Sequence, residues 1–295
     1  RRPPRSTPKP SSAASDVYKR QDLVVVGPEV PLVNGVVDFL SDKKIMVFGP
    51  KKIPAGLEGS KIFMKDICSK YNIPTAAYKS FKEKKLACDY LKSHTFPVVI
   101  KASGLAAGKG VTIATSLNDG LLAINDIFND KFGSGCELVI EEFMDGEEAS
   151  YFVFTDGTNY IPLSSAQDHK RIGDGDTGPN TGGMGAYSPA PVFTKEIQKQ
   201  VDQEMIEPTL KAMRDLGSPY QGILYAGVMI KNNKAKLVEY NVRFGDPECQ
   251  VLMLRLKSDI VDLILGTIHG NISSCLLYTS PSPRDATLSR MPSSA

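Results

Sequence analysis

Short apolar runs alternate with amphipathic segments along most of the chain, and this alternation predicts strands and helices in turn. Leu23–Val26 and Lys44–Phe48 are predicted strands that end in Gly-Pro turns, and Leu32–Leu40 between them has helical spacing. A strand, a helix and a second strand in this order form a β-α-β unit of a parallel sheet. Ligand-binding loops gather at the carboxyl ends of strands in such sheets.

The next segments predict one helix and then a compact α/β module. The helix covers Ser60–Tyr71, and its predicted apolar stripe consists of Ile62, Phe63, Ile67 and Tyr71. The module runs from Tyr78 to about Glu148. Its predicted elements are a helix at Lys82–Ser93, strands at Val98–Lys101 and Val111–Ala114, a helix at Leu117–Phe128 and a strand at Glu137–Glu142.

The hydrophobic pattern from Ile172 to Arg243 ends in a predicted β-hairpin. A glycine-dense loop covers Ile172–Tyr187, and Lys195–Leu216 has helical periodicity. Two apolar segments, Leu224–Ile230 and Lys236–Arg243, flank a polar Lys-Asn-Asn-Lys turn. The pattern therefore predicts a long helix followed by two antiparallel strands.

Alternation within the last strand places Glu239, Asn241 and Arg243 on one face, because successive side chains of a strand point to opposite sides. A carboxylate and an amide oxygen suit a hard cation such as Mg2+ or Mn2+, which completes its shell with water and phosphate oxygens. A guanidinium beside them complements phosphate charge. An edge strand with a solvated polar face gives the same pattern.

Composition changes at both ends of the chain. Residues 1–21 and Cys275–Ala295 are rich in Pro and Ser and show no periodicity. Asp16–Gln21 and Cys275–Ser280 can be encoded by complementary strands of one sequence, shifted by one base, as expected for an adapter read on both sides of an insert. We therefore expect both ends to be foreign to the fold and 22–274 to be the native part.

Charge and apolar content exclude several classes of protein. The whole chain has a formal net charge of +2, but the first 21 residues carry +5 and the last 21 carry +1, which leaves −4 for the rest. A nucleic-acid-binding protein is therefore not expected. No apolar run reaches the roughly 18 residues of a membrane span, and the Cys residues form no CxxC motif. We expect a cytoplasmic protein without a membrane partner.

A glycine-rich loop, Lys101–Gly110, follows the predicted strand Val98–Lys101. Its glycines let backbone N–H groups approach phosphate oxygens closely. It is not a Walker A loop, because only three residues separate Gly104 from Gly108, no Ser or Thr follows Lys109, and a strand comes next. The loop predicts a flap that closes over phosphates, and an ordinary glycine-rich hairpin turn is the alternative.

Further polar segments are candidate binding elements. Lys101 ends an apolar strand, where a cation either neutralises phosphate or reaches water. Leu138–Glu148 is a strand and an acidic turn whose backbone and apolar side chains can line an adenine ring, although an acidic surface turn looks the same. Gln167–Arg171 and the loop after it suit a small zwitterion and a phosphorylated sugar. His169 is a candidate there, or a surface hydrogen-bonding residue.

Together these segments resemble the ATP-grasp ligases, and most closely the phosphoribosylamine–glycine ligase family. The likeness extends in the family's order through nearly all of 22–270. It is carried by Gly27–Glu29 with Pro31 and Leu32, Leu57–Lys61, Lys101–Gly110, Ile140–Glu148, Gln167–Arg171, Asp176–Ala190 and Glu239–Glu248.

The resemblance implies a chain of the α/β and α+β classes, with an ATP-grasp fold and a partial N-terminal parallel-sheet domain. With the foreign ends, it divides the chain into a leader (1–21), an N-terminal remnant (22–50), a core (51–77 and 149–274), a lid (78–148) and a tail (275–295). It also implies an enzyme of purine biosynthesis. ATP would phosphorylate the carboxylate of glycine, and the amine of 5-phosphoribosylamine would attack the acyl phosphate.

The resemblance assigns roles to individual residues. The catalytic residues are Arg243 and Lys101, and the metal ligands are Glu239 and Asn241. The ATP-binding residues are Lys61, Lys101, Gly108, Lys109, Gly110, Glu141, Phe143, Met144 and Glu148. The substrate-binding residues are Glu29, Asp168, His169, Lys170, Asn180, Gly182 and Gly183.

Two departures from the family pattern affect the expected activity. The family begins with a further β-α unit and ends with another domain, so we expect a chain truncated at both ends that binds ATP and Mg2+ weakly and makes product poorly. A fusion of the parent chain to other purine-pathway enzymes stays open. The alternatives are another ATP-grasp carboxylate-amine ligase or carboxylase, and a non-catalytic nucleotide-binding module.

Overall fold

The computed structural model describes residues 22–104, 110–129, 137–169, 171–173, 177–181 and 183–272. The helices are α1 (Glu29–Val33), α2 (Val36–Asp42), α3 (Lys52–Gly59), α4 (Lys61–Lys70), α5 (Lys84–Lys92), α6 (Leu117–Phe128), α7 (Lys195–Val201), α8 (Glu207–Asp215), α9 (Glu248–Arg255) and α10 (Ile260–His269). The strands are β1 (Val24–Val25), β2 (Val47–Phe48), β3 (Tyr78–Phe81), β4 (Val98–Ala102), β5 (Val111–Ala114), β6 (Leu138–Glu142), β7 (Glu147–Asp156), β8 (Tyr160–Pro162), β9 (Gln167–Asp168), β10 (Arg171–Gly173), β11 (Thr177–Asn180), β12 (Ala186–Tyr187), β13 (Gln221–Lys231) and β14 (Lys234–Asn241).

The N-terminal unit is a two-stranded parallel sheet in which β1 pairs with β2. This confirms the predicted β-α-β arrangement. The prediction of one helix over Leu32–Leu40 is wrong, because α1 and α2 are separate helices. Gly35 lies between them with φ of +87°, a left-handed conformation that interrupts helical hydrogen bonding and favours glycine.

A four-stranded antiparallel sheet with the order β3-β6-β4-β5, here called the lid sheet, has its own hydrophobic core. Helices α5 and α6 cover it, and Leu91, Ile100 and Ile124 are fully buried between the layers. β4 pairs with β5 from Val98 to Lys101, which confirms that the glycine-rich loop joins two strands. A P-loop needs a helix at that place. Residues 105–109 of the loop lie outside the described residues.

A second antiparallel sheet, here called the core sheet, has the order β14-β13-β7-β8 and is buried on both faces. Tyr151 and Val153 of β7 face one hydrophobic cluster with α4, α7 and α8. Phe152 and Phe154 face a second cluster with α10. Because neighbouring residues of a strand face opposite sides, a strand covered on both sides is apolar at nearly every position, as β7 is.

The hairpin of β13 and β14 matches the prediction and contains one irregularity. Val238 is a β-bulge, an extra residue of β14 relative to β13. Because the bulge shifts the alternation by one position, Leu237 before it and Tyr240 after it both point into the same hydrophobic cluster. Glu239 and Asn241 consequently lie on the opposite face of the core sheet.

Two helical predictions differ from the structure in detail. The predicted stripe of α4 is confirmed in part, because Ile67 is buried and Phe63 and Tyr71 pack partly buried against the same core. The other buried residues of the helix are Met64, Lys65 and Cys68. The predicted helix over Lys195–Leu216 is present, but one π-helical turn at Asp202–Ile206 separates α7 from α8. Pro208 follows this turn and lacks the N–H group that a regular helix requires. Within the described ranges, every helix is too short or too polar to cross a membrane.

Candidate functional site

A buried ionic cluster lies where the lid sheet meets α4. Lys101 on β4 and Glu141 on the neighbouring β6 form an ion pair, with 2.9 Å between Nζ and Oε2. Lys65 on α4 lies on the other side of the carboxylate, with its Nζ 3.3 Å from Oε1. All three side chains are at most 6% exposed. Two cations therefore flank one carboxylate with almost no access to water.

Lys61 reaches the same region from the first turn of α4. The helix start is fixed because the Ser60 hydroxyl accepts a hydrogen bond from the N–H of Phe63. Lys61 Nζ donates to the backbone oxygen of Gly104 at 3.2 Å, at the beginning of the glycine-rich loop. Burial lowers the pKa of Lys61, whereas the charge of Glu239 raises it. Lys61 thus lies between the flap and the strand with the predicted metal ligands.

The register of the core sheet places those predicted ligands beside an acidic residue of β7. Glu239 lies opposite Gly227 and Asn241 opposite Tyr225, so their side chains share a face. A Cβ atom at Gly227 would lie 3.6 Å from Glu239 Cγ and 4.0 Å from Glu148 Oε1. The two carboxylate side chains therefore converge over the glycine.

The donor set fits an open divalent-cation site better than a closed one. Within the described part of the chain, no three His, Cys, Asp or Glu side chains form a group that could hold a metal ion. Glu239 and Asn241 supply one carboxylate and one amide oxygen. Mg2+ and Mn2+ accept such a partial set, because water and phosphate oxygens fill the remaining positions.

Arg243 follows the end of β14 and lies between two carboxylates. Its Nη2 donates to Glu58 Oε1 at 2.9 Å, and its Nε lies 3.3 Å from Glu29 Oε2. The Nε atom is buried and makes no hydrogen bond to any described residue. The second oxygen of Glu58 accepts from the N–H of Val242 at 2.8 Å. Burial raises the pKa of Glu58, and Arg243 opposes this shift.

A buried hydrogen-bond network links the core sheet to α9. The hydroxyl of Tyr225 donates to Glu248 Oε1 at 2.9 Å and lies 2.7 Å from the hydroxyl of Ser150. Burial raises the pKa of Tyr225 well above its usual value, and the charges of Glu248 and Asp168 raise it further. Asp168 is therefore within electrostatic reach of the face that carries Asn241.

The polar segment around His169 folds back on itself. β9 pairs with β12, and the backbone N–H of His169 donates to the oxygen of Gly185 at 2.9 Å. The His169 side chain is exposed and its ring lies 5.5 Å from that of Tyr187. Gly183 has φ of +105°, and a Cβ there would lie 2.6 Å from Pro247 Cδ. The loop thus packs directly on the end of the Glu239–Glu248 segment.

The remaining predicted residues are distributed around these groups. Phe143 and Met144 lie on the connection between the two sheets, and Phe143 is exposed. Gly110 closes the flap, where its oxygen accepts from the N–H of Ala102 at 2.8 Å. The backbone of Asn180 belongs to β11. Gly108, Lys109, Lys170 and Gly182 lie outside the described residues.

Sequence reasoning gave no role to three charged residues of this region, Glu58, Lys65 and Glu248. Glu58 and Glu248 belong to segments that carry the family resemblance. Lys65 lies within an otherwise apolar helix face. This position is the sequence feature that indicates a buried role for Lys65, because a lysine between buried residues needs a carboxylate or carbonyl partner.

Two sequence models of one family match the chain. Residues 59–249 match the ATP-grasp (A) domain of phosphoribosylglycinamide synthetase, and residues 9–58 match its N domain. The chain belongs to the phosphoribosylglycinamide synthetase family. The N-domain match begins inside the segment that we expect to be adapter-derived, and that expectation stays a prediction.

Curated members of the phosphoribosylglycinamide synthetase family are similar over most of the chain. The phosphoribosylamine–glycine ligase of Brucella melitensis is 53% identical over 266 residues, which cover 90% of this chain and 62% of that protein. The chloroplastic ligase of Arabidopsis thaliana is 56% identical over 259 residues, which cover 86% and 49%. The chain therefore spans about half to two thirds of the length of these relatives.

Solved structures confirm the ATP-grasp fold. The phosphoribosylamine–glycine ligase of Thermotoga maritima has a TM-score of 0.76 and 33% identity, over 90% of this chain and 65% of that one. A biotin carboxylase from Campylobacter jejuni has a TM-score of 0.68 over 93% of this chain and 58% of its own. Its identity of 19% shows a common fold and nothing more.

Proposed function

We propose that this chain carries the ATP-binding and metal-binding part of a phosphoribosylamine–glycine ligase. The observation that carries the proposal is the position of Lys61. Its ammonium group donates to the backbone oxygen of Gly104 at the start of the flap, and the charge of Glu239 raises its pKa. The flap, a cation and a metal-ligand strand thus meet at one place, as an ATP triphosphate with its cation requires. Family membership supports the same reaction.

The nucleotide would lie between the lid sheet and the core sheet. Lys61, Lys101 and the Gly108–Gly110 part of the flap would bind its phosphates. Glu141, which is buried with both carboxylate oxygens in ion pairs, would lie beside the adenine. The remaining contacts would come from Phe143 and Met144 to the ring and from Glu148 to the ribose.

The metal ion would bind Glu239 and Asn241. ATP-grasp enzymes in general use ATP with a divalent metal ion, and Mg2+ or Mn2+ is our proposal for this chain. When bound, such an ion would neutralise part of the phosphate charge. Arg243 would stabilise the transferring phosphoryl group with the charge of its guanidinium group.

The proposed reaction has two balanced steps. A carboxylate oxygen of glycine attacks the γ-phosphorus of ATP, and ADP leaves. The amine of 5-phosphoribosylamine then attacks the carbonyl carbon, loses a proton and expels phosphate. Positioning and charge neutralisation suffice for both steps, and a closed lid protects the acyl phosphate from water. The residues proposed to face the two acceptor substrates are Glu29, Asp168, His169, Lys170, Asn180, Gly182 and Gly183.

The experiment measures ATP binding to the full chain by calorimetry, with and without Mg2+. We expect Mg2+ to strengthen binding in the wild type, and Glu239→Gln to abolish that enhancement. Glu142→Gln is the matched control, because Glu142 is an exposed carboxylate on the lid sheet. A wild type that does not bind ATP, or an unchanged Mg2+ effect in Glu239→Gln, contradicts the proposal.

A second measurement addresses the acceptor substrates. ADP release that depends on both glycine and 5-phosphoribosylamine supports the ligase reaction, and release that depends on bicarbonate favours a carboxylase. ATP binding without any ADP release in a full-length relative favours a nucleotide-binding module. The division of the chain into core and lid and a cytoplasmic location belong to the same proposal.

A further inference from the structure

Lys65 is a fully buried cation that has no part in the chemistry proposed above. Its side chain is 0% exposed. Its Nζ donates to Thr75 Oγ1 at 2.8 Å and to the backbone oxygen of Ala76 at 3.4 Å, besides the ion pair with Glu141. Burial of an ammonium group is strongly unfavourable unless it is paired. The presence of a lysine at this buried position therefore requires an explanation.

The contacts of Lys65 connect three parts of the fold. Lys65 belongs to α4 beneath the core sheet, Glu141 belongs to the lid sheet, and Thr75 precedes β3 in the segment that joins the two. Thr75 Oγ1 in turn donates to the oxygen of Leu237 at 2.7 Å, on the strand that carries Glu239. One side chain thus fixes the lid sheet relative to the strand with the predicted metal ligands.

The arrangement of charges explains why Lys101 alone cannot both pair with Glu141 and bind a phosphate. Lys101 holds Oε2 of Glu141 at 2.9 Å. If it were the only cation there, a phosphate could attract Lys101 only by leaving a buried carboxylate without a partner, which is costly. Lys65, on the other oxygen, keeps Glu141 paired whether or not Lys101 turns to a ligand. Its own anchors at Thr75 and Ala76 hold it in place.

We infer that Lys65 is a positioning residue that keeps Glu141 paired and oriented, so that Lys101 is free to bind the phosphates of ATP. The inference rests on the proposed function, since it specifies how that nucleotide site is prepared. Lys65 acts only through Glu141 and touches neither base nor phosphate. The effect of its removal therefore depends on the charge at position 141.

The test is a double-mutant cycle on the full chain, with ATP affinity measured by calorimetry. Lys65→Met is expected to weaken ATP binding at least tenfold, because Glu141 then retains Lys101. Inorganic tripolyphosphate, which has no base, is expected to bind more weakly to the same extent. In the Glu141→Gln background, Lys65→Met is expected to change the affinity less than threefold. Lys70→Met is the control, because Lys70 is an exposed lysine on the same helix.

Folding is monitored by thermal denaturation in every variant. Lys65→Gln keeps a donor for Thr75 and Ala76, and the Lys65→Met/Glu141→Gln pair removes both charges, so these serve if Lys65→Met does not fold. Folded Lys65 variants that bind ATP like the wild type, or additive effects in the cycle, overturn the inference and leave the proposed function intact. A wild type that binds no ATP contradicts the proposed function itself.

Discussion

The two ends of the proposed site hold their charges in different ways. At the nucleotide end, defined by Lys65, Lys101 and Glu141, the charged groups are at most 6% exposed. At the acceptor end, defined by Arg243, Glu29 and Glu58, they are 9–24% exposed. Both contain carboxylates and cations in contact. The first is enclosed by protein, whereas water and a ligand can reach the second.

The two ends also differ in what positions them. Lys101 and Glu141 belong to neighbouring strands, so the register of the lid sheet sets their separation. Arg243 follows a strand end, and the nearby Gly183 belongs to a loop. Sites built on paired strands hold tighter geometry than sites built on loops, while loops adapt to substrates. We infer that the nucleotide end is rigid before ligands bind and that the acceptor end adjusts to them.

The largest expected effect comes from breaking the nucleotide end. Glu141→Leu leaves two buried ammonium groups without their carboxylate, and removal of one partner of a buried ion pair costs about 3–5 kcal/mol. Urea denaturation measures the free energy of unfolding. Glu142→Leu, at the next position, breaks only an exposed pair with Lys236, for which about 0–1 kcal/mol is expected. Equal losses in the two variants contradict an enclosed cluster.

A smaller effect is expected from the backbone that shapes the acceptor end. Gly183→Ala places a Cβ 2.6 Å from Pro247 Cδ at a residue with φ of +105°, so we expect a loss of about 1–3 kcal/mol. Gly185→Ala is the control, since nothing lies within 4 Å of its added Cβ. Urea denaturation and acceptor-dependent ADP release are the measurements. If both alanine variants behave alike, the loop does not depend on its contact with Pro247.

The smallest effect is a pH dependence at the acceptor end. Burial raises the pKa of Glu58 above its usual 4.5, although Arg243 opposes the shift. Between pH 4.5 and the higher folded pKa, the folded chain keeps a proton that the unfolded chain has lost. The stability that Glu58 contributes is therefore present in acid and declines as pH rises through the folded pKa.

Glu58→Gln cannot titrate and removes this decline. The difference in unfolding free energy between the variant and the wild type is expected to shift in favour of the variant as pH rises above 4.5. Urea midpoints at several pH values measure it. Parallel profiles for the two proteins would show that Glu58 has an ordinary pKa and that the acceptor end is more open than the geometry indicates.

Individual residues of the site could be predicted from the sequence better than the contacts between them. The polar residues of β14 and the lysine that ends β4 are recognisable because strand periodicity is local. Arg243 and Glu58 are 185 positions apart in the chain, and only the fold brings them together. The buried position of Lys65 could not be predicted from its residue type, because a charged residue on a helix ordinarily faces solvent. The roles of Glu239 and Asn241 as metal ligands stay a prediction.

The extra residue at Val238 has a consequence for anyone who compares or redesigns this strand. The residue types of β14 alone do not preserve the site, because the position of each residue relative to the turn decides which face of the sheet its side chain occupies. If Val238 paired with β13 as a regular strand residue instead of bulging, the alternation beyond Leu237 would not be shifted, and Tyr240 and its polar neighbours would exchange faces. The carboxylate would then enter the hydrophobic interior and the tyrosine would occupy the ligand face. A strand of the same length in regular alternation therefore could not replace β14.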